Sequence, residues 1–150
     1  MASITVGFDP AGDERFANAI AKIGSRAVTI LHQALGEAGT VLLGHVQALT
    51  PLKTGALKAG LNKRLIKGRG KWSGVIVRTP TREALGILPS DKHYYPASLE
   101  FGFSRRTKGG KIVHVPARSY LRRGLEDKKD QIQSVIKERF LKRLIREVTN

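Results

Sequence analysis

The chain opens on strict alternation. Ile4, Val6 and Phe8 are separated by Ser3, Thr5 and Gly7, the two-residue period of a half-buried strand, and the turn-forming run DPAGD stops it. From Phe16 the period lengthens. Phe16, Ile20, Ile23, Ala27, Ile30, Leu31, Ala34, Val41 and Leu42 recur at helical spacing, with Asp13 placed to cap, so a helix is expected from about 13 to 48. Gly36 and Gly39 are soft points at which it could bend or break. Beyond Arg26 this helix carries Glu37 as its single formal charge. A helix so poor in charge is expected to be covered on more than one side, by its own domain or by a neighbouring subunit. Thr50-Pro51 ends it.

The middle of the chain returns to short runs. Leu57, Ala59, Leu61 and Leu65 alternate like a strand, while Leu57, Leu61 and Leu65 also fit an i, i+4 helical series, so both readings stay open. KGRGKWSG reads as a hairpin loop, and Val75-Ile76-Val77 as a strand stopped by Pro80. Residues 80–92 read as a loop. Ile112, Val113 and Val115 form a further strand, preceded by the basic turn RRTKGGK and stopped by Pro116. From about 117 the pattern is helical again. Leu121, Leu125, Ile132, Val135, Ile136, Phe140, Leu144, Ile145 and Val148 make one stripe, with Lys and Arg on the other faces. The expected architecture is α+β and a single domain, 1–150. It has a long N-terminal helix, a small antiparallel meander of three to four strands, and a long C-terminal helix packed on the sheet.

Charge changes the picture more than composition does. The net charge is +15, and there is no cysteine, which excludes disulfides and thiolate metal sites. Residues 1–50 hold three Lys/Arg against four Asp/Glu, whereas residues 51–150 hold 24 against eight. Such asymmetry points to a polyanionic partner, with nucleic acid the leading candidate and an acidic protein face, or simply a solvated basic surface, the alternative. The cations concentrate in two turns. Lys58, Lys63, Arg64, Lys67, Arg69 and Lys71 lie in an acid-free run, and Arg105, Arg106, Lys108 and Lys111 surround the second turn. Two turns of one small sheet would place these ten together, as a nucleic-acid-facing or channel-facing set that attracts phosphates without reading sequence. No 18-residue apolar run exists, so no membrane contact is expected. The first sixteen residues lack the basic-then-apolar order of a signal peptide.

Catalytic patterns do not emerge. His32, His45, His93 and His114 stand apart from one another and from acids at metal-ligand spacing. His32 and His45 fall on different faces of the first helix. No nucleophile elbow, zincin or P-loop motif occurs. A metal-dependent nuclease would have to gather Glu83, Asp91 and Glu100, which follow no recognised metal-binding pattern. The expectation is a non-enzyme without cofactor or metal. Within HYYPASLEFGF, Glu100 is expected to be structural, paired with a cation such as Arg118 or an arginine of a neighbouring subunit. Tyr94, Tyr95, Leu99 and Phe101 are expected to pack the sheet against the helices, and Gly102 to turn the chain into the basic loop.

Three segments, in order, carry a resemblance. LTPLKTGAL resembles an aP-x-x-TG-x-L segment, and YYPASLEFGF resembles Y-A-x-x-x-E-x-G-T. VPARSYLRRGLEDKKDQI resembles P-x-x-P-F-L-x-P-A-L followed by a long helix. Together, over about residues 45–140, they are similar to the tail-completion, or neck, proteins of tailed bacteriophages, also described as head–tail joining, minor tail or morphogenesis proteins. Phe103 stands where that pattern has Thr, and Tyr120-Leu121-Arg122-Arg123-Gly124 replaces its Phe-Leu-x-Pro-Ala run. The resemblance implies a non-enzymatic α+β virion protein, located in the neck region and assembled in the host cytoplasm. It implies a homo-oligomeric ring, usually a hexamer, between the portal-side connector and the tail tube or tail terminator, with genomic DNA passing through. The alternative reading from charge is a sequence-nonspecific nucleic-acid-binding protein.

Overall fold

A computed structural model describes residues 2–8, 18, 24–52, 55–67, 73–91 and 93–149. In chain order the elements are strand β1 (Ser3–Phe8), helix α1 (Ser25–Leu49), the short helix α2 (Ala56–Gly60), strands β2 (Asn62–Lys67) and β3 (Ser73–Arg78), helix α3 (Tyr95–Phe101), strands β4 (Phe103–Arg106) and β5 (Ile112–Val115), and helix α4 (Tyr120–Thr149). A 3-10 turn, Glu83–Leu85, interrupts the loop after β3. The class is α+β, as the patterning predicts. The expected helical stretch before residue 24 lies outside the described residues apart from Asn18.

The expected single meander is instead two sheets. β1 and β2 both pair antiparallel with β3, giving the order β1-β3-β2, while β4 and β5 form a separate two-stranded ribbon. Register explains which side of the larger sheet is buried. Ile4 and Lys63 both lie opposite Val77, and Leu65 lies opposite Val75. This set therefore shares one face, and Val75 and Val77 are buried there. The ambiguous stretch around Leu57–Leu65 resolves into both alternatives in succession: α2, with Leu57 buried, and then β2.

α1 occupies the middle of the molecule. The sheet lies against one side and α4 against another, while α4 itself meets the sheet chiefly at β1. Ala27, Ile30, Leu31, Ala34, Leu35, Ala38, Leu42 and Val46 are all buried. This accounts for its scarcity of charge: the covering comes from its own chain. The two glycines do not break it. A Cβ on Gly39 would stand 2.5 Å from Val75 Cγ2, so glycine lets α1 close onto β3. At the opposite contact a Cβ on Gly124 of α4 would stand 2.5 Å from Val46 Cγ2. Thr50 ends α1 with its hydroxyl donating to the Val46 carbonyl at 2.7 Å.

α4 supplies Leu121, Ile132, Ile136, Phe140 and Leu144 to the core shared with α1. Ile145 departs from the predicted stripe, because its side of the helix turns outward and leaves it 62% exposed. The Val148 side chain lies outside what is described. Glu37 joins the two helices. It meets Arg139 at 3.2 Å and Arg143 at 2.5 Å, so the one acid of α1 beyond Arg26 is spent on α4. His32 and His45 do face different ways: His32 Nε2 lies 2.9 Å from Ser73 Oγ of the sheet, and His45 Nε2 lies 3.2 Å from Asp127 Oδ2 of α4.

Candidate functional site

The first turn of α4 has the wrong charge for a helix start. It contains Arg122 with Arg123 following, and no acid, although the N-terminal end of a helix favours negative charge. The preceding Ser119 is twisted to a positive φ of 47° and turns its hydroxyl to the Glu100 carbonyl, 3.1 Å away. The cap comes from a distant segment. Glu100, only 5% exposed, accepts the backbone N–H of Leu121 at 2.9 Å on Oε2 and that of Arg122 at 3.1 Å on Oε1. Both carboxylate oxygens are thus committed to amides that a helix leaves unsatisfied.

Around this cap the two segments interlock. The Arg118 N–H donates to the Leu99 carbonyl at 2.8 Å, and the Tyr120 hydroxyl to the Pro96 carbonyl at 3.4 Å. Burial, and after it the nearby Glu100 charge, push the Tyr120 phenol well above its ordinary range, so it stays a neutral donor. Gly102 adopts φ 72°, and a Cβ there would lie 2.7 Å from the Val115 carbonyl oxygen and 2.8 Å from the Ala117 nitrogen. No side chain fits. Tyr94 anchors the other end of α3, its hydroxyl 2.7 Å from Thr79 Oγ1 and 2.5 Å from the Pro80 carbonyl oxygen.

Several sequence-derived expectations change here. The Glu100–Arg118 ion pair is not formed, because helix amides take the carboxylate while Arg118 contributes its backbone and leaves its side chain exposed. Tyr95 and Phe101 do not pack the sheet against the helices; both are exposed, Phe101 to 74%. Tyr94 and Leu99 are half-buried. The signal that could have pointed to the cap was the sign of the charges after Ser119.

The eight described members of the ten belong to α2, to β2 of the larger sheet and to the separate β4–β5 ribbon, so they do not share one sheet. Arg69 and Lys71 lie outside the described residues. Lys58 sits half-buried on α2. Lys63 is already engaged, its Nζ donating to the Gly36 carbonyl of α1 at 2.7 Å and to the Thr40 hydroxyl. By register Arg64 lies on the opposite face from Lys63 and Lys67. Lys67 is close enough to His32 to help burial lower that imidazole's pKa. Arg105, Arg106, Lys108 and Lys111 are all exposed on the β4–β5 ribbon, as Arg64 and Lys67 are on β2, and no ion pair among the described residues involves any of these six.

A cleft of about 270 Å³ lies between the start of β1 and the α3–α4 junction, bordered by Ala2, Ile4, Phe101 and Ser119. Its principal polar groups, the Glu100 carboxylate and the Ser119 hydroxyl, are already hydrogen-bonded within the protein. Among the described residues no group of three His, Asp or Glu side chains could hold a metal ion, and no helix is long and apolar enough to cross a membrane. Glu83, Asp91 and Glu100 are not gathered into one such group. No family model matches the chain, and no curated protein or solved structure is significantly similar to it.

Proposed function

We propose that the chain is a structural virion protein that completes a bacteriophage tail and joins it to the head connector, as one subunit of a ring around the DNA channel. One observation carries this reading. The second and third segments of the resemblance fold into a single interlocked unit, with Glu100 of the former capping the helix begun by the latter and Gly102 packed on its approach. The residues that carry the resemblance are also residues that hold each other in place, which supports reading the second and third segments together. The first segment contributes as well, with Thr50 closing α1 and Leu57 entering the core.

In this role the protein is not an enzyme, and its partners are copies of itself, the portal-side connector and the tail tube or terminator. Six copies would carry about +90, a charge that acidic partners, DNA or ions would have to offset. The deciding experiment is electron microscopy of the purified protein mixed with tail tubes. Rings of defined symmetry at the tube end are expected. A particle that stays monomeric, ignores tails and binds DNA with steep salt dependence would replace this reading with that of a nonspecific nucleic-acid-binding protein.

A further inference from the structure

We infer that the β4–β5 ribbon is a duplex-DNA contact: it lies in the major groove and meets phosphates on both walls through Arg105, Arg106, Lys108 and Lys111. The inference rests on the neck reading for the source of the DNA and narrows the contact to one element.

The ribbon stands clear of the body. Its principal packing is between its own two strands, and none of its residues is fully buried. Pairing of Phe103 with Val115 and of Arg105 with Val113 puts these four on one face. Ser104, Arg106, Ile112 and His114 occupy the other. Cations therefore project from both faces, and Lys108 from the turn. A flat protein surface would meet one face only, whereas a groove presents phosphates to both. Dimensions agree. Two strands lie about 4.8 Å apart and four residues span about 14 Å. The B-DNA major groove, about 12 Å wide and 8.5 Å deep, accepts a two-stranded ribbon as it stands, whereas the minor groove, about 6 Å wide, would first have to be widened at a deformation cost.

Two further features favour a polyanion. From Phe101 to Leu125 the sequence contains no acid, so nothing local competes for these cations. The turn is also pre-shaped, with Thr107 N–H donating to the Lys111 carbonyl at 2.8 Å and Gly110 N–H to the Thr107 carbonyl at 3.0 Å. Little backbone freedom remains to be lost on binding. On β2, Lys63 is tied to α1, while Arg64 and Lys67 are exposed but turn to opposite faces of a sheet packed against α1.

The test is anisotropy of a labelled random-sequence duplex over a salt series, using the full chain. Three proteins are compared: wild type, Arg105→Ala/Arg106→Ala/Lys108→Ala/Lys111→Ala, and the control Lys58→Ala/Arg64→Ala/Lys67→Ala. The hairpin variant should lower the slope of log K against log salt by about 3 to 4, since each phosphate contact contributes about 0.9, and the control by less than about 1. Circular dichroism should show both variants folded, because the hairpin side chains lie outside the core. Methyl green, a major-groove ligand, should displace the protein, and netropsin, a minor-groove ligand, should not. Three results would overturn the inference: no DNA affinity in the wild type, an unchanged slope in the hairpin variant, or an equal loss in the control. Binding of the hairpin to an acidic protein with no effect on DNA would do the same. Ring formation on tail tubes is scored separately. Rings with an unchanged DNA slope sink the hairpin contact alone, and a changed slope without rings sinks the neck reading alone.

Discussion

Replacing Glu100 by alanine removes a carboxylate from two amides at the start of a 30-residue helix. Hydrogen bonds to a charged acceptor contribute about 1.5–3 kcal/mol each, and loss of a conventional helix cap costs about 0.5–2 kcal/mol. The two contributions overlap. The Leu121 amide is buried and would stay unsatisfied, whereas the Arg122 amide is partly exposed and would recover water. The expected loss is therefore about 2–4 kcal/mol for Glu100→Ala. At about 2–4 °C per kcal/mol for a chain of this size, the thermal midpoint should fall by roughly 5–15 °C. Glu100→Gln keeps one acceptor but turns an amide N–H₂ toward a backbone N–H, so its loss should be intermediate. Arg118→Ala should stay within about 0.5 kcal/mol of wild type, since its side chain makes no ion pair with the acid. Thermal melts followed by far-ultraviolet circular dichroism, with a double-mutant cycle for Glu100 and Arg118, decide the matter. A Glu100→Ala midpoint within about 2 °C of wild type would refute the capping argument. A strong coupling energy between the two residues would restore the ion pair.

Two further outcomes follow from the same geometry. Gly102→Ala should destabilise by about 3 kcal/mol or more, because its backbone lies in a region that is essentially glycine-only and the added methyl meets fixed backbone atoms; an unchanged urea midpoint would contradict this. His32 has its pKa lowered, first by burial and then by Lys67, so the folded state binds its proton less readily than the unfolded chain. Its contribution is complete above the unfolded value of 6.5 and is lost as pH falls below it. The midpoint of wild type should therefore drop between about pH 7.5 and 5.5 more than that of His32→Gln, and parallel curves would exclude His32 as the cause.

Periodicity alone revealed the long helices, the strand character of β1 and β3, and the covering of α1 on two sides. Each follows from side-chain burial repeating along a local element. What it could not assign was partnership. Ile112–Val115 looks like one more strand of a meander, but hydrogen-bonding partners do not leave a trace in alternation. The short run Phe103–Arg106 has no apolar period because all four of its residues are exposed. The Leu57–Leu65 ambiguity had a physical basis: a five-residue helix followed at once by a strand satisfies both templates. Glu100 is legible as structural from the lack of any catalytic partner, yet its hydrogen-bonding partners are not. Opposite charge made Arg118 the obvious partner, while the stronger demand came from uncharged backbone amides.

That demand also orders the charge distribution. On the α4 side, cations are partly compensated: Glu37 holds Arg139 and Arg143, Glu147 holds Arg26, and Glu126 faces Arg122. These exposed pairs each add little stability, about 0–1 kcal/mol, but they lower the field along the helical face. The β4–β5 ribbon has no such relief, and the one acid next to it in sequence, Glu100, is turned inward to serve a helix. Committing Glu100 to the cap therefore does two things at once. It makes a helix start from a segment with arginines in the wrong place, and it leaves the ribbon without a counter-charge of its own. A subunit built this way leaves four cations without a counter-charge on one projecting element. That is the distribution expected if the counter-charge arrives from outside the chain.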